Sequence, residues 1–248
     1  MKITSLLLTA ALLLPMPLVA QPPREVPARH LECVVLLHGL WRSALSMKAL
    51  EWGLSEAGFA VVNPSYPSLS HPIQELARIA VDEGLAGCRE QGLGIIHFVT
   101  HSLGGILVRQ YLAYGAIPGL HRVVMLGPPN QGSQVADFIA SVDALELVMP
   151  DIVEQLGTGE KSIPRQLGPV TFELGIIAGT SNGRAMLPGF PEVASDGTVA
   201  VAETIVPGML DFLEMPVGHT FMMWNEAVLE QVIHFLSYGA FDRDEPLQ

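Results

Sequence analysis

The hydrophobic pattern divides the chain into short apolar runs separated by segments of helical spacing. The runs at residues 33–37, 59–62, 94–99, 121–126, 172–178 and 212–217 are largely continuous rather than alternating. Continuous apolar runs of about 4–8 residues fit strands buried on both faces, as a parallel sheet requires. Between them, residues 46–58 carry Met47, Leu50 and Leu54 at helical spacing and stop at Gly58. Residues 72–89 set Ile73, Leu76, Ile79, Ala80 and Leu85 near one face, and residues 226–237 form a closing helix. Regular alternation of strands with helices predicts an α/β fold, a mostly parallel central sheet with helices on both faces. No internal repeat or low-complexity tract interrupts it.

The alternation stops between residues 134 and 169. Val135, Phe138, Ile139, Val142, Leu145, Val148, Ile152 and Val153 suggest helical pieces, broken at Gly157-Thr158-Gly159. This excursion reads equally as a short cap over a site or as a crossover helix with a long loop.

Composition adds limits. Lys2, the apolar stretch 6–14, the breakers Pro15 and Pro17, and Leu18-Val19-Ala20 before Gln21 have the layout of a cleavable secretory signal over residues 1–20. The stretch is too short for a membrane span, which needs about 20 apolar residues. Residues 21–248 then form one domain, in a secreted or periplasmic setting. A formal charge of −12 disfavours nucleic acid and anionic membrane surfaces, because both are held by Lys and Arg. In an oxidising compartment Cys33 and Cys88 could be bridged. Both fall at the end of a βαβ unit away from the turn described next, and two buried free thiols are the equal alternative.

That turn is Thr100-His101-Ser102-Leu103-Gly104-Gly105, lying between the run 94–99 and a helical pattern of Ile106, Leu107, Arg109, Gln110 and Leu112. A serine at a sharp strand-to-helix turn has its hydroxyl exposed and the next backbone N–H aimed at the same centre. Gly104 occupies the second glycine of the Gly-x-Ser-x-Gly form, and Thr100 replaces the first. Serine needs an adjacent base. Of the eight histidines, His219 stands after the last strand and before the last helix, where the chain order Ser, acid, His puts that base. His101 is expected to point away from the reaction. Asp196, in Ser-Asp-Gly-Thr, lies between serine and histidine and would orient the imidazole, although a turn aspartate also caps its own backbone. Asp211 is its rival but opens the final strand, far from His219; Asp137, Asp143 and Asp151 fall in the excursion. Leu40, Trp41, Met222, Met223 and Trp224 crowd near the site in sequence. Trp41 and Met222 are the expected walls of an apolar substrate pocket.

Upstream, the run 33–37 ends at His38-Gly39-Leu40-Trp41. VVLLHGL paired with VTHSLGG resembles the α/β-hydrolase superfamily, and within it the bacterial lipase and esterase branch. The likeness extends through Val123 to Ser133, Ser195-Asp196-Gly197-Thr198-Val199 and Val217-Gly218-His219-Thr220, nearly the whole chain after residue 20. The resemblance implies an oxyanion hole from the backbone N–H groups of Leu40 and Leu103, and an excursion sitting over the active site. It also implies hydrolysis of carboxylic esters of acyl or lipid type through Ser102, His219 and Asp196 by way of an acyl-enzyme, without metal or organic cofactor. Acyl transfer to an alcohol would use the same residues, and a non-catalytic lipid-binding protein could share the fold. Nothing in the sequence sets the oligomeric state. The acidic surface and apolar walls lead us to expect neutral short- to medium-chain esters as substrates.

Overall fold

The computed structural model describes residues 32–141, 151–181 and 193–243. The signal segment 1–20, Asp143 and residues 142–150 of the excursion lie outside the described residues. Six strands form one sheet: β1 (Glu32–Leu37), β2 (Ala60–Val62), β3 (Ile95–His101), β4 (Leu120–Leu126), β5 (Glu173–Gly179) and β6 (Asp211–Met215). All pairings are parallel, in the order β2-β1-β3-β4-β5-β6. The helices are α1 (Lys48–Glu56), α2 (Ile73–Glu90), α3 (Leu103–Leu112), α4 (Gln134–Ala140), α5 (Asp151–Gln155), α6 (Ile163–Gln166), α7 (Val201–Thr204) and α8 (Glu226–Tyr238). The last strand stops two residues short of its expected end. Pro216 has no N–H to continue the ladder, and the Val217 N–H turns back to the Met215 carbonyl at 2.8 Å.

The period-two geometry of a strand sorts β1 into two cores. Cys33, Val35 and Leu37 pack with Ile73, Leu76, Ile106 and Leu107 of α2 and α3. Val34 and Leu36 pack with Leu50 and Leu54 of α1 and with Val232 and Phe235 of α8. Both faces are therefore covered, which explains the continuous apolar runs. Cys33 and Cys88 are disulfide-bonded, S–S 1.97 Å and Cα–Cα 5.9 Å, joining the start of β1 to the last turns of α2. Among the described residues no helix is long and apolar enough to cross a membrane.

The chain runs from β1 outward to β2, then returns to place β3 on the other side of β1. This reversal opens a crevice beyond the carboxyl ends of β1 and β3, where open parallel sheets bind ligands. Leu37 is in register with Thr100, so residues 38–41 emerge beside residues 101–102.

Candidate active site

Ser102 occupies the corner between β3 and α3 with φ 53° and ψ −118°. A non-glycine residue held there costs about 1–3 kcal/mol and persists only where surroundings over-determine it. They do so here. The Ser102 N–H donates to Leu126 O at 2.9 Å, and its carbonyl accepts from Gly105 N–H at 3.1 Å. A Cβ on Gly104 would lie 2.4 Å from the Leu37 carbonyl oxygen, so only glycine lets α3 start this close to β1. A Cβ on Gly105 would lie 2.9 Å from Met125 Sδ and 3.2 Å from Thr100 Oγ1. The bare Gly105 thus leaves the room that Thr100, standing in place of the first motif glycine, takes up. Leu103 opens α3, and the first amides of a helix have no acceptor within it.

The acid and the imidazole come together across two loops. Asp196 Oδ2 lies 2.6 Å from His219 Nδ1. Asp196 Oδ1 accepts from the N–H groups of Thr198 at 2.8 Å and Val199 at 2.7 Å. Capping and pairing therefore use different oxygens of one buried carboxylate. The His219 N–H also donates to the Asp196 carbonyl at 2.8 Å, locking the loops in register. With the proton on Nδ1 facing a carboxylate, Nε2 is left with its lone pair. Gly127, at φ +54°, lies directly against the pair: a Cβ there would sit 2.7 Å from Asp196 Oδ2 and 3.1 Å from His219 Nδ1. Asp211 begins β6 at the other end of the sheet and is bonded to Arg243 at 2.6 Å.

His101 departs from expectation. Instead of pointing away, its ring lies 4.6 Å from that of His219, and its Nε2 is 3.0 Å from the His219 carbonyl oxygen. The cause is Gly39, where any Cβ would lie 2.8 Å from His101 Nδ1; the missing side chain makes the space. Burial, then the neighbouring His219, hold His101 well below the usual histidine pKa. It is therefore neutral and donates Nε2–H to the carbonyl. His38 is also buried, and burial lowers its pKa. Its ring stacks on Tyr66 at 3.9 Å and 8°, and the Tyr66 hydroxyl donates to the His38 carbonyl. Tyr66, within a Pro-rich turn, gave no sequence signal for this clamp. A second element missed in the sequence is Arg109. Buried on α3, it donates to the Asn130 carbonyl at 3.1 Å, Asn130 Oδ1 at 3.0 Å and the Gly168 carbonyl at 2.7 Å. It ties the helix behind Ser102 to the loops that flank β4 and β5, and burial lowers its pKa to about 10.

Ser102 and His219 open into one cavity of about 450 Å³, walled by Leu40, Val135, Ile139, Val153, Leu156 and Val199 among others. Residues of α4 and α5 thus form part of the wall, so the excursion reaches the site. Trp41 stands at the mouth, half exposed, at φ 55° in a turn closed by Arg42 N–H to Gly39 O at 3.3 Å. Met222 corrects the expected wall. It does not line the cavity; it is fully buried, and Cβ atoms on Gly127 and Gly179 would each lie 3.3 Å from its thioether end. The 3-10 turn Met222–Trp224 turns its two methionines into the core and Trp224 outward. Among the described residues no group of three or more His, Cys, Asp or Glu side chains could hold a metal ion.

Comparison with known proteins agrees with the fold. The model of the alpha/beta hydrolase family matches residues 34–239. No curated protein matches the sequence. Among solved structures, the mature Bacillus licheniformis lipase BlEst2 superposes with a TM-score of 0.62 at 19% identity, over 84% of this chain and 90% of that one. The metagenomic carboxyl esterase MGS0156 gives 0.60 at 20% identity, over 82% and 70% of the two chains. Aspergillus fumigatus lipase B gives 0.61 at 12% identity, over 88% of this chain and 54% of the other. At such identities the structural likeness speaks for the fold, and the family match covers most of the sequence: the chain belongs to the alpha/beta hydrolase family.

Proposed function

We propose that this protein is a serine hydrolase of carboxylic esters, acting on acyl or lipid substrates after export. The observation that carries the reading is the pairing of Asp196 with His219 Nδ1 in the wall of the cavity that Ser102 enters. In this reading the free Nε2 of His219 takes the Ser102 proton as Oγ attacks the ester carbonyl. The backbone N–H groups of Leu40 and Leu103 receive the oxyanion. His219 returns the proton to the departing alcohol, leaving an acyl-enzyme that water opens by the same steps in reverse order. Asp196 stays ionised, fixes the tautomer and stabilises the imidazolium. Val135, Ile139, Val153 and Leu156 give the acyl chain an apolar bed, each buried methylene contributing about 0.8 kcal/mol. The Cys33–Cys88 bond suits an exported chain from which residues 1–20 are removed.

The test is covalent. A fluorophosphonate should label Ser102 alone, as located by peptide mass spectrometry, and a series of neutral aryl esters from acetate to octanoate should be cleaved with rising kcat/KM until the cavity is full. No label at Ser102, or faster cleavage of a matched amide than of the ester, would remove the reading.

A further inference from the structure

Beside the main cavity runs a second, shallower groove of about 460 Å³. The two share Trp41, Arg42 and Thr220 in their walls. The groove continues along Thr220, Phe221 and Trp224, the residues that follow His219. This side matters chemically. In ester cleavage the departing oxygen must meet the proton on His219, so the alcohol portion leaves on the histidine side while the acyl chain stays with Ser102. The groove is therefore placed for the alcohol portion.

Half of its wall is exposed apolar surface, with Trp41 50% exposed, Leu45 72%, Phe221 74% and Trp224 57%, and Arg42, Ser43, Ser46 and Thr220 supply the polar half. Arg42 stands where groove and cavity meet, exposed, and is the one formally charged side chain in either wall among the described residues. Several other basic residues are engaged: Arg122 with Glu173, Arg243 with Asp211, Lys48 with Glu51, Lys161 with Glu154, and Arg109 with carbonyl oxygens, while Arg78 and Arg89 of α2 line neither wall. Arg42 has no such partner among the described residues. A guanidinium beside the reacting centre, with no ion-pair partner among the described residues, is chemically suited to recognise an anion. The net negative charge opposes anions at a distance, but screening weakens that effect beyond about 10 Å, whereas Arg42 acts in contact.

We propose that the groove is a leaving-group subsite, and that the substrate is an ester whose alcohol portion has an apolar body bearing an oxyanion bound by Arg42. The inference rests on the ester-hydrolase reading above and departs from the expectation of wholly neutral substrates. Ser102 Oγ bonds to the acyl carbon, the ester C–O bond breaks, and the anionic alcohol departs with the proton from His219.

Two matched esters test it: 3-carboxyphenyl butyrate and the neutral 3-carbamoylphenyl butyrate. The wild-type protein should cleave the carboxylate with a kcat/KM about five- to tenfold higher, and about 0.5 M salt should shrink the ratio. Arg42→Gln should bring the ratio to one or below, because the loss falls on the carboxylate ester far more than on the carbamoyl ester. Equal rates for both esters in the wild type, or an equal loss on both in Arg42→Gln, would overturn the subsite while leaving ester hydrolysis standing. A carbamoyl ester that is not cleaved, or is cleaved equally by Ser102→Ala, would instead remove the hydrolase reading, and the subsite with it.

Discussion

The floor and the rim of the cavity are built by opposite rules. The floor is buried and over-determined. Ser102, Asp196, His219 and His101 are held by backbone hydrogen bonds and by glycines that admit no Cβ. The rim of Trp41, Arg42, Leu45, Phe221 and Trp224 is exposed and lightly tied. Positions that must hold a reacting atom within a fraction of an ångström need packing on every side. Positions that only select among substrates can stand in solvent, where they are read by contact and not by geometry. Changes on the floor should therefore cost orders of magnitude in turnover, and changes on the rim should show in substrate preference with the fold untouched.

The largest effect belongs to the nucleophile. Ser102→Ala should lower ester turnover by at least about a thousandfold with an unchanged melting curve, because the side chain serves no core contact. Retention of more than about a hundredth of the wild-type rate would break the assignment of the floor to catalysis. Asp196→Asn comes next. Losing tautomer control of His219 should cost on the order of a thousandfold or more in kcat. Asp211→Asn disturbs its pairing with Arg243 and one of the backbone N–H bonds it accepts from Phe212 and Phe241, at the far end of the sheet, and should leave kcat unchanged. The opposite ranking in a paired assay would assign the acid wrongly.

This division also explains what was legible in the sequence. The six strands could be read because both sheet faces are covered, so each strand is an uninterrupted apolar run. The elbow could be read because Gly104 and the serine mark a corner that few residue types can occupy. His219 could be placed by chain order, and Asp196 by its loop position and the family resemblance, since Asp137, Asp143, Asp151 and Asp211 also fall between serine and histidine. The misplacements concern direction. His101 was expected to point away and instead lies against His219, because the space it fills is made by Gly39, 62 residues earlier in the numbering and silent as to its purpose. Met222 was expected in the pocket wall and lies in the core, because a three-residue 3-10 turn decides which of four consecutive apolar side chains turns inward. Tyr66 and Arg109 act through backbone carbonyls, and an acceptor present at every residue leaves no pattern to read.

His101 gives a smaller and pH-dependent effect. Its folded pKa is depressed by burial, with His219, Arg42 and His38 nearby opposing its protonation. In the unfolded chain it titrates near ~6.5. A depressed group contributes stability that is fully present above the unfolded value and is lost as pH falls below it, since the unfolded state then takes up a proton that the native state refuses. Stability should thus fall below about pH 6.5, with up to ~1.4 kcal/mol per pH unit due to this residue. His38, also lowered by burial, adds to the same slope. In His101→Gln the amide can still donate to the His219 carbonyl but cannot take up the proton. Its melting temperature should fall less steeply between pH 6.5 and 5, as about one fewer proton is linked to unfolding. Equal slopes for the two proteins would mean that His101 is already accessible to protons in the native state.

The smallest effect is on the rim, and the turn after His219 contains its own control. Phe221 is 74% exposed and Met222 fully buried, although they are neighbours in the chain. Met222→Ala would empty a space beneath Gly127 and Gly179, and buried Met→Ala changes cost about 2–5 kcal/mol. Phe221→Ala removes a side chain that solvent already surrounds on most sides and should change stability by no more than about 0.5 kcal/mol. If the groove binds the alcohol portion of the substrate, Phe221→Ala should still raise KM for esters with a bulky apolar alcohol while leaving kcat and the KM of methyl esters unchanged. That pattern follows because uniform binding energy enters KM alone. Denaturant melts with kinetics on a methyl and an aryl ester would read both quantities from one protein preparation. A loss of several kcal/mol would show that Phe221 belongs to the packed floor. A fall in kcat on the methyl ester would show that the two regions are coupled and that the rim also positions His219.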